Sequence, residues 1–246
     1  MARSIFAGRA RELERMETEA CDYESFRACL RDLAQVNLVT LGYRPTLGFL
    51  EHLRAGGRWP ARPLHIVDVG SGYGDTLARI ARWAKAYGLV VRLTGVDANP
   101  FAIRAAHEAH ANLGIEWVCA DVFDYAARRP DPADIIVSAL FAHHLDDAAL
   151  GRFLAWMEAS ATVGWFINDL HRHAVPYWSF AALARAARWH PFVRDDGPLS
   201  IARAFRRNDW EHALADSGIA PAAARIEWWF PFRLCVARVK DDAAAV

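Results

Sequence analysis

Residues 64–76 read LHIVDVGSGYGDT, and this stretch decides the fold. Leu64, Ile66, Val67 and Val69 form an apolar run that enters Gly70, Gly72 and Gly74 directly. Leu77, Ile80, Ala81 and Ala84 follow at helical spacing. A buried strand, a tight glycine turn and a helix start account for that order. Glycine permits the sharp turn, and its missing Cβ lets a ligand come close to the backbone. The first N–H groups of the next helix have no partner within the helix and face that ligand.

The glycine spacing and one acid discriminate between nucleotide-type ligands. A dinucleotide fingerprint reads G-x-G-x-x-G, and its last glycine packs helix on strand. Asp75 occupies that position here, while Gly70, Ser71, Gly72, Tyr73 and Gly74 alternate. Asp68 stands two residues ahead of the first glycine. A carboxylate there repels a pyrophosphate and suits a ligand with an ammonium group and no phosphate. S-adenosylmethionine (SAM) is such a ligand. The stretch resembles the first motif of the class I SAM-dependent methyltransferases, an acid-x-G-x-G-x-G.

Working outward, strands and helices alternate. Strands are predicted at Leu64–Val69, Val90–Val96, Ile115–Cys119, Ala133–Leu140 and Val163–Asn168. Helices are predicted at Thr76–Tyr87, Pro100–Asn112 and Asp147–Ala159, with a shorter turn near Phe123–Ala127. That alternation implies an α/β fold with a parallel, doubly wound sheet covered on both faces. Ligands of such sheets bind at the carboxyl ends of the strands. Two further apolar runs, Ala224–Trp229 and Phe232–Val239, flank Phe230-Pro231. The resemblance implies that they complete a seven-stranded sheet as an antiparallel hairpin.

Helices are expected before the first strand, with a break at Gly42-Tyr43-Arg44-Pro45. Residues 1–60 would form an N-terminal helical lid and residues 61–246 the SAM-binding core. Within the core, an aromatic-rich cap insertion at about 170–206 carries Tyr177, Trp178, Phe180, Trp189 and Phe192. A helix is expected at Tyr177–Arg188, a turn at Asp195-Asp196-Gly197-Pro198 and a helix at Asn208–Ser217. The tail Asp241–Val246 would be frayed.

The resemblance carries over to specific positions. Asp68, Gly70, Ser71 and Gly72 would hold the methionine part of SAM. Asp97 and Ala98, about 25 residues past the glycine turn, would meet the ribose hydroxyls. Asp121 and Val122 would face the adenine, and the backbone of Ser138 the methionine. Arg44 would meet the SAM carboxylate from the loop break. His143 in FAHHLDD and His171 in NDLHRH follow the fourth and fifth strands at the ligand end. Histidine titrates near neutrality, so both are candidate general bases, with Asp169 as the orienting group. No metal ligand is assigned, because no local Cys/His spacing supports a site.

The 246 residues suit one domain with additions, and a 54% hydrophobic content supplies a sizeable core. Lysine plus arginine is 29 and aspartate plus glutamate is 29, a balance that argues against a nucleic-acid backbone binder. Amino-methylating enzymes of nucleic acids carry [DN]-P-P-[YF] after the fourth strand, where this chain reads Ser138-Ala139-Leu140-Phe141. Four cysteines without a C-x-x-C pair read as free thiols of a reducing compartment. The N-terminus lacks the apolar core of a secretory signal, and no run is long enough to span a bilayer. These features predict a cytoplasmic, SAM-dependent methyltransferase of small molecules, of bacterial secondary-metabolism type, compatible with a homodimer. The acceptor would be aromatic or polyketide-like and methylated on oxygen. The rival readings are an NAD-dependent oxidoreductase, which lacks its Tyr-x-x-x-Lys pair here, and a non-catalytic SAM-binding protein.

Overall fold

A computed structural model describes residues 6–59, 62–128, 133–220 and 222–240. Among these, seven strands form one sheet. They are β1 (Leu64–Val69), β2 (Val91–Asp97), β3 (Glu116–Cys119), β4 (Ala133–Ala139), β5 (Ala161–Leu170), β6 (Ala224–Trp229) and β7 (Arg233–Val239). Their order is β3-β2-β1-β4-β5-β7-β6. The first five run parallel, and β7 is antiparallel to both neighbours. The chain reverses its direction of growth at β1, and the crevice beside β1 and β4 is therefore the switch point of the sheet.

The strands read as apolar runs because both faces are covered. On one face, Leu64 and Ile66 of β1 pack with Phe49, Leu50 and Leu53 of α3 (Arg44–Ala55). Leu77 and Ile80 of α4 (Asp75–Ala86) join them. On the other face, Val67, Val69 and Ile136 meet Phe153, Leu154 and Met157 of α7 (Asp147–Ser160). Alternate residues of β1 thus serve opposite cores, as a period of two requires. The remaining crossover helices are α5 (Pro100–His110) and α6 (Val122–Arg128). Asn99 caps α5 through its side chain.

The carboxyl ends of the strands lie under a cover. It comprises α1 (Arg15–Thr18), α2 (Tyr23–Val39), α8 (Ala174–Ala186) and α9 (Pro191–Arg203), while α10 (Arg207–Asp216) packs against α7. The described residues ahead of α1 are a turn and irregular chain rather than helix, with Glu14 extended. The turn expected at residues 195–198 is instead the middle of α9, with Pro198 inside the helix. Tertiary contacts outweigh the local turn preference there. Asp196 accepts the backbone N–H groups of Arg15 (2.8 Å) and Met16 (3.0 Å). Gly197 lies so close to the Phe180 ring that a Cβ would sit 2.0 Å from it. The helix expected at Asn208–Ser217 is α10, which starts one residue earlier with Arg206 in the N-cap position. The Asp241–Val246 tail and the boundary at residues 60 and 61 fall outside the described residues.

Gly74 precedes α4 at φ +76°, and a Cβ there would lie 2.2 Å from the Trp117 ring. Gly57 has a similar φ of +70° with open space around it. Gly57→Ala should therefore cost the left-handed strain alone, somewhat over 1 kcal/mol. Gly74→Ala should cost a further ~1–3 kcal/mol for overpacking against Trp117. Urea denaturation of the two variants measures the difference, and equal midpoints would contradict it.

Candidate active site

A cavity of about 640 Å³ opens between the strand ends and the helical cover. That is a common size for a small-molecule pocket. Its floor is the glycine turn. Gly72 has φ +52° and no atom within 4 Å of where a Cβ would be, so the cavity reaches the backbone there. Asp97, at the end of β2, ties the turn down by accepting the Gly72 N–H (2.9 Å) on one oxygen. Its other oxygen accepts the Asn99 N–H (2.9 Å). Asp97 still lines the cavity beside Ala98, with lone pairs left for hydroxyl donors.

Asp68 is fully buried at the end of β1, and its Oδ1 has no hydrogen-bond partner among the described residues. Burial, reinforced by Asp75 and Asp97, holds its carboxyl well above the usual carboxylate range. Ser71 Oγ is likewise buried without a partner. Both residues line the cavity. An orphaned carboxylate and hydroxyl over a glycine cradle fit the ammonium end of SAM, which supplies a cation and donors. Asp75, at the position of the dinucleotide glycine, accepts the Tyr43 hydroxyl (2.6 Å). Asp121 and Val122 also line the cavity, and Asp121 caps α6 by accepting the Phe123 N–H (2.8 Å).

Two of the residues expected at the cofactor do not line the cavity. Arg44 is exposed on the first turn of α3 and does not line the cavity, because Pro45 and Thr46 are the residues turned inward. Ser138 is buried beneath the cavity and gives its hydroxyl to the Val69 carbonyl (3.0 Å). Ala139 and Leu140 line the cavity in its place, Leu140 at the rare φ of +57°. The buried cation that does reach the cavity is Arg233, from the start of β7. A lone arginine in an apolar hairpin carries no motif, so sequence reasoning missed it.

The histidines separate in the same way. His143 lines the cavity and is buried, with Nδ1 2.7 Å from Asp169 Oδ1. Asp169 Oδ2 also accepts the His143 backbone N–H (3.0 Å). Burial alone would raise the Asp169 pKa, but the charge and hydrogen bonds of His143 hold it below the usual range. The pair therefore occupies Nδ1 and leaves Nε2 for other partners. Nε2 lies 3.7 Å from Glu14, which the N-terminal segment inserts into the cavity wall. Burial raises the Glu14 pKa. His171 does not line the cavity. It pairs in an isolated bridge with Phe205, and burial lowers its pKa. The fifth strand runs on to Leu170, so His171 lies beyond the strand's exit rather than over the ligand.

Glu14, His143 and His144 bring potential metal-ligand atoms within 4.8 Å of one another, a cluster that no local spacing announced. Its members are already engaged. Glu14 accepts from Ser200 (2.8 Å), and Glu17 takes His144 Nδ1 (2.5 Å) and Arg203 Nη1 (2.8 Å). Of the cap aromatics, Phe180 and Phe192 line the cavity, whereas Trp178 is 63% exposed. The cysteines are free, Cys29 and Cys235 buried and Cys119 exposed.

Residues 66–163 match a family model described as a methyltransferase domain. No curated protein sequence matches the chain. Among solved structures, a SAM-dependent methyltransferase from Aquifex aeolicus shares 18% identity at a TM-score of 0.57, covering 89% of this chain and 98% of that one. The plantazolicin methyltransferase in complex with a monoazolic desmethyl analogue and S-adenosylhomocysteine (SAH) shares 15% at 0.55, covering 92% and 90%. Magnesium protoporphyrin IX methyltransferase from Synechocystis with bound SAH shares 16% at 0.52, covering 82% and 84%. At such identities these structures speak for the fold. The chain therefore carries a methyltransferase domain over residues 66–163 and shares the fold of these SAM-dependent enzymes, with Asp68 orphaned over the glycine cradle of that domain.

Proposed function

We propose that the protein transfers the SAM methyl group to an oxygen of a small aromatic or polyketide-like acceptor. The observation that carries this reading is the buried His143–Asp169 pair in the wall of the SAM cavity. The bound cofactor supplies an electrophilic methyl on a good leaving group, so the protein's task is alignment and proton removal. Phe180, Phe192 and Leu140 give the acceptor region an apolar lining suited to a flat ligand. Asp169 would fix the His143 ring, and Nε2 would take the proton of the acceptor's hydroxyl. Glu14, 3.7 Å from Nε2, then faces the imidazolium that forms. The sheet of this fold also serves the plantazolicin and magnesium protoporphyrin IX methyltransferases, whose names denote small-molecule chemistry. No described helix is long and apolar enough to cross a membrane.

Arg9, ahead of α1, ion-pairs with Asp147 (2.9 Å) and donates to the His143 and Leu145 carbonyls. The N-terminal segment would thus act as a lid whose closure completes the base.

Three outcomes are expected. His143→Gln and His143→Ala should lower kcat by about 10²–10⁴ while SAM affinity is kept. Steady-state kinetics with an identified acceptor reads this, and near-native kcat in both variants would mean catalysis by alignment alone. The Asp68 carboxyl is raised in the free protein and must ionise to meet an ammonium group, so binding releases a proton. SAM affinity should therefore climb with pH until that titration is passed, and Asp68→Asn should flatten the climb. Calorimetry in two buffers of different ionisation enthalpy would reveal the released proton, and its absence would remove Asp68 from the ammonium site. Hydrogen exchange over residues 28–53 should slow when SAM binds. Equal protection with and without SAM would make these helices static cover.

A further inference from the structure

Arg233 is the feature that the methyl-transfer chemistry leaves unexplained. It opens β7, is 3% exposed and lines the cavity. Its Nη2 donates to Asn37 Oδ1 (3.1 Å) and lies 3.5 Å from Thr40 Oγ1. Its Nη1 is buried with no partner among the described residues. The backbone is shaped around it, since a Cβ on Gly42 would sit 2.7 Å from Nη2. Asp169, the nearby acid, is already committed to His143. A buried guanidinium held only by neutral groups is costly unless an anion completes it. Its planar fork matches a carboxylate.

The sheet register separates this cation from the ammonium site. Asp68 pairs with Val137, Val137 with Phe166, and Phe166 with Ala237. Arg233 pairs with Leu170, further along β5. Its Cα thus lies three strands over, about 14 Å, and four residues beyond the Asp68 row, about 13 Å along the strands. The ammonium and carboxylate of SAM share one carbon, so a cofactor held at Asp68 keeps its carboxylate beside Asp68.

We propose that Arg233 anchors a carboxylate carried by the methyl acceptor, with the methylated hydroxyl placed at His143. The acceptor is then a hydroxylated aromatic or polyketide-like acid, a reading that rests on the methyltransferase assignment above. The carboxylate serves as a handle. It is not the methylated group, because it is ionised already and would leave the His143 base without a task.

Calorimetry on the SAH-loaded protein tests this with 6-hydroxy-2-naphthoate and 2-naphthol as probes. The wild type should bind the naphthoate at least tenfold more tightly than the naphthol. Arg233→Met should abolish that preference, and Arg233→Lys, which keeps charge and loses the fork, should retain part of it. SAH affinity, and the discrimination between SAH and its decarboxylated analogue, should be unchanged in both variants. Loss of that discrimination would assign Arg233 to the cofactor's carboxylate and overturn the proposal. An unchanged probe preference in Arg233→Lys or Arg233→Met would overturn it as well. If Arg233→Met does not fold, Arg233→Lys carries the test alone. Failure of the wild type to bind SAH would instead refute the methyltransferase reading.

Discussion

The hydrogen bond from the Gly72 N–H to Asp97 is the constraint on which the rest of the site depends. It joins the turn after β1 to the end of β2, the two neighbours on one side of the switch point. With the turn fixed, α4 starts where Gly74 places it, and Asp68 lies under the cradle rather than in solvent. The same carboxylate holds the Asn99 N–H, so the entry to α5 is set by one side chain as well. Burial raises the Asp97 pKa, and the two backbone donors oppose that rise. Asp97 thus ties the backbone together and lines the cavity at once.

The cavity is closed by charge as much as by apolar packing. Arg9 reaches the His143 and Leu145 carbonyls, and Arg203 reaches Glu17. Asp196 holds the first turn of α1. These contacts join segments far apart in sequence and sit around His143. Charges that are buried or half-buried gain more from each other than surface pairs do, and they also enforce one geometry. The cover is therefore specific about where it sits, which orienting a base requires.

Inside the cavity, unpaired groups mark what a ligand must bring. Asp68 Oδ1 and Ser71 Oγ call for donors, and Arg233 Nη1 calls for an acceptor. The apolar lining around them lowers the local dielectric and strengthens both demands.

The sequence by itself determined the glycine turn, the strand alternation and the acids at the ends of β1 and β2. These follow from local rules, periodicity and the conformational freedom of glycine, which act within a few residues. The tertiary structure alone decided that His143, not His171, joins the cavity, since that depends on how far β5 runs before it turns. It alone turned Arg44 out to solvent and brought Arg233 to the cavity, because a helix's first-turn residue points by rotation while a strand residue points by register. It also turned residues 195–198 into helix, where contacts to Arg15, Met16 and Phe180 outweigh a local preference. Glu14 reached His143 across the chain from an irregular segment without periodicity, and only packing could bring those two together.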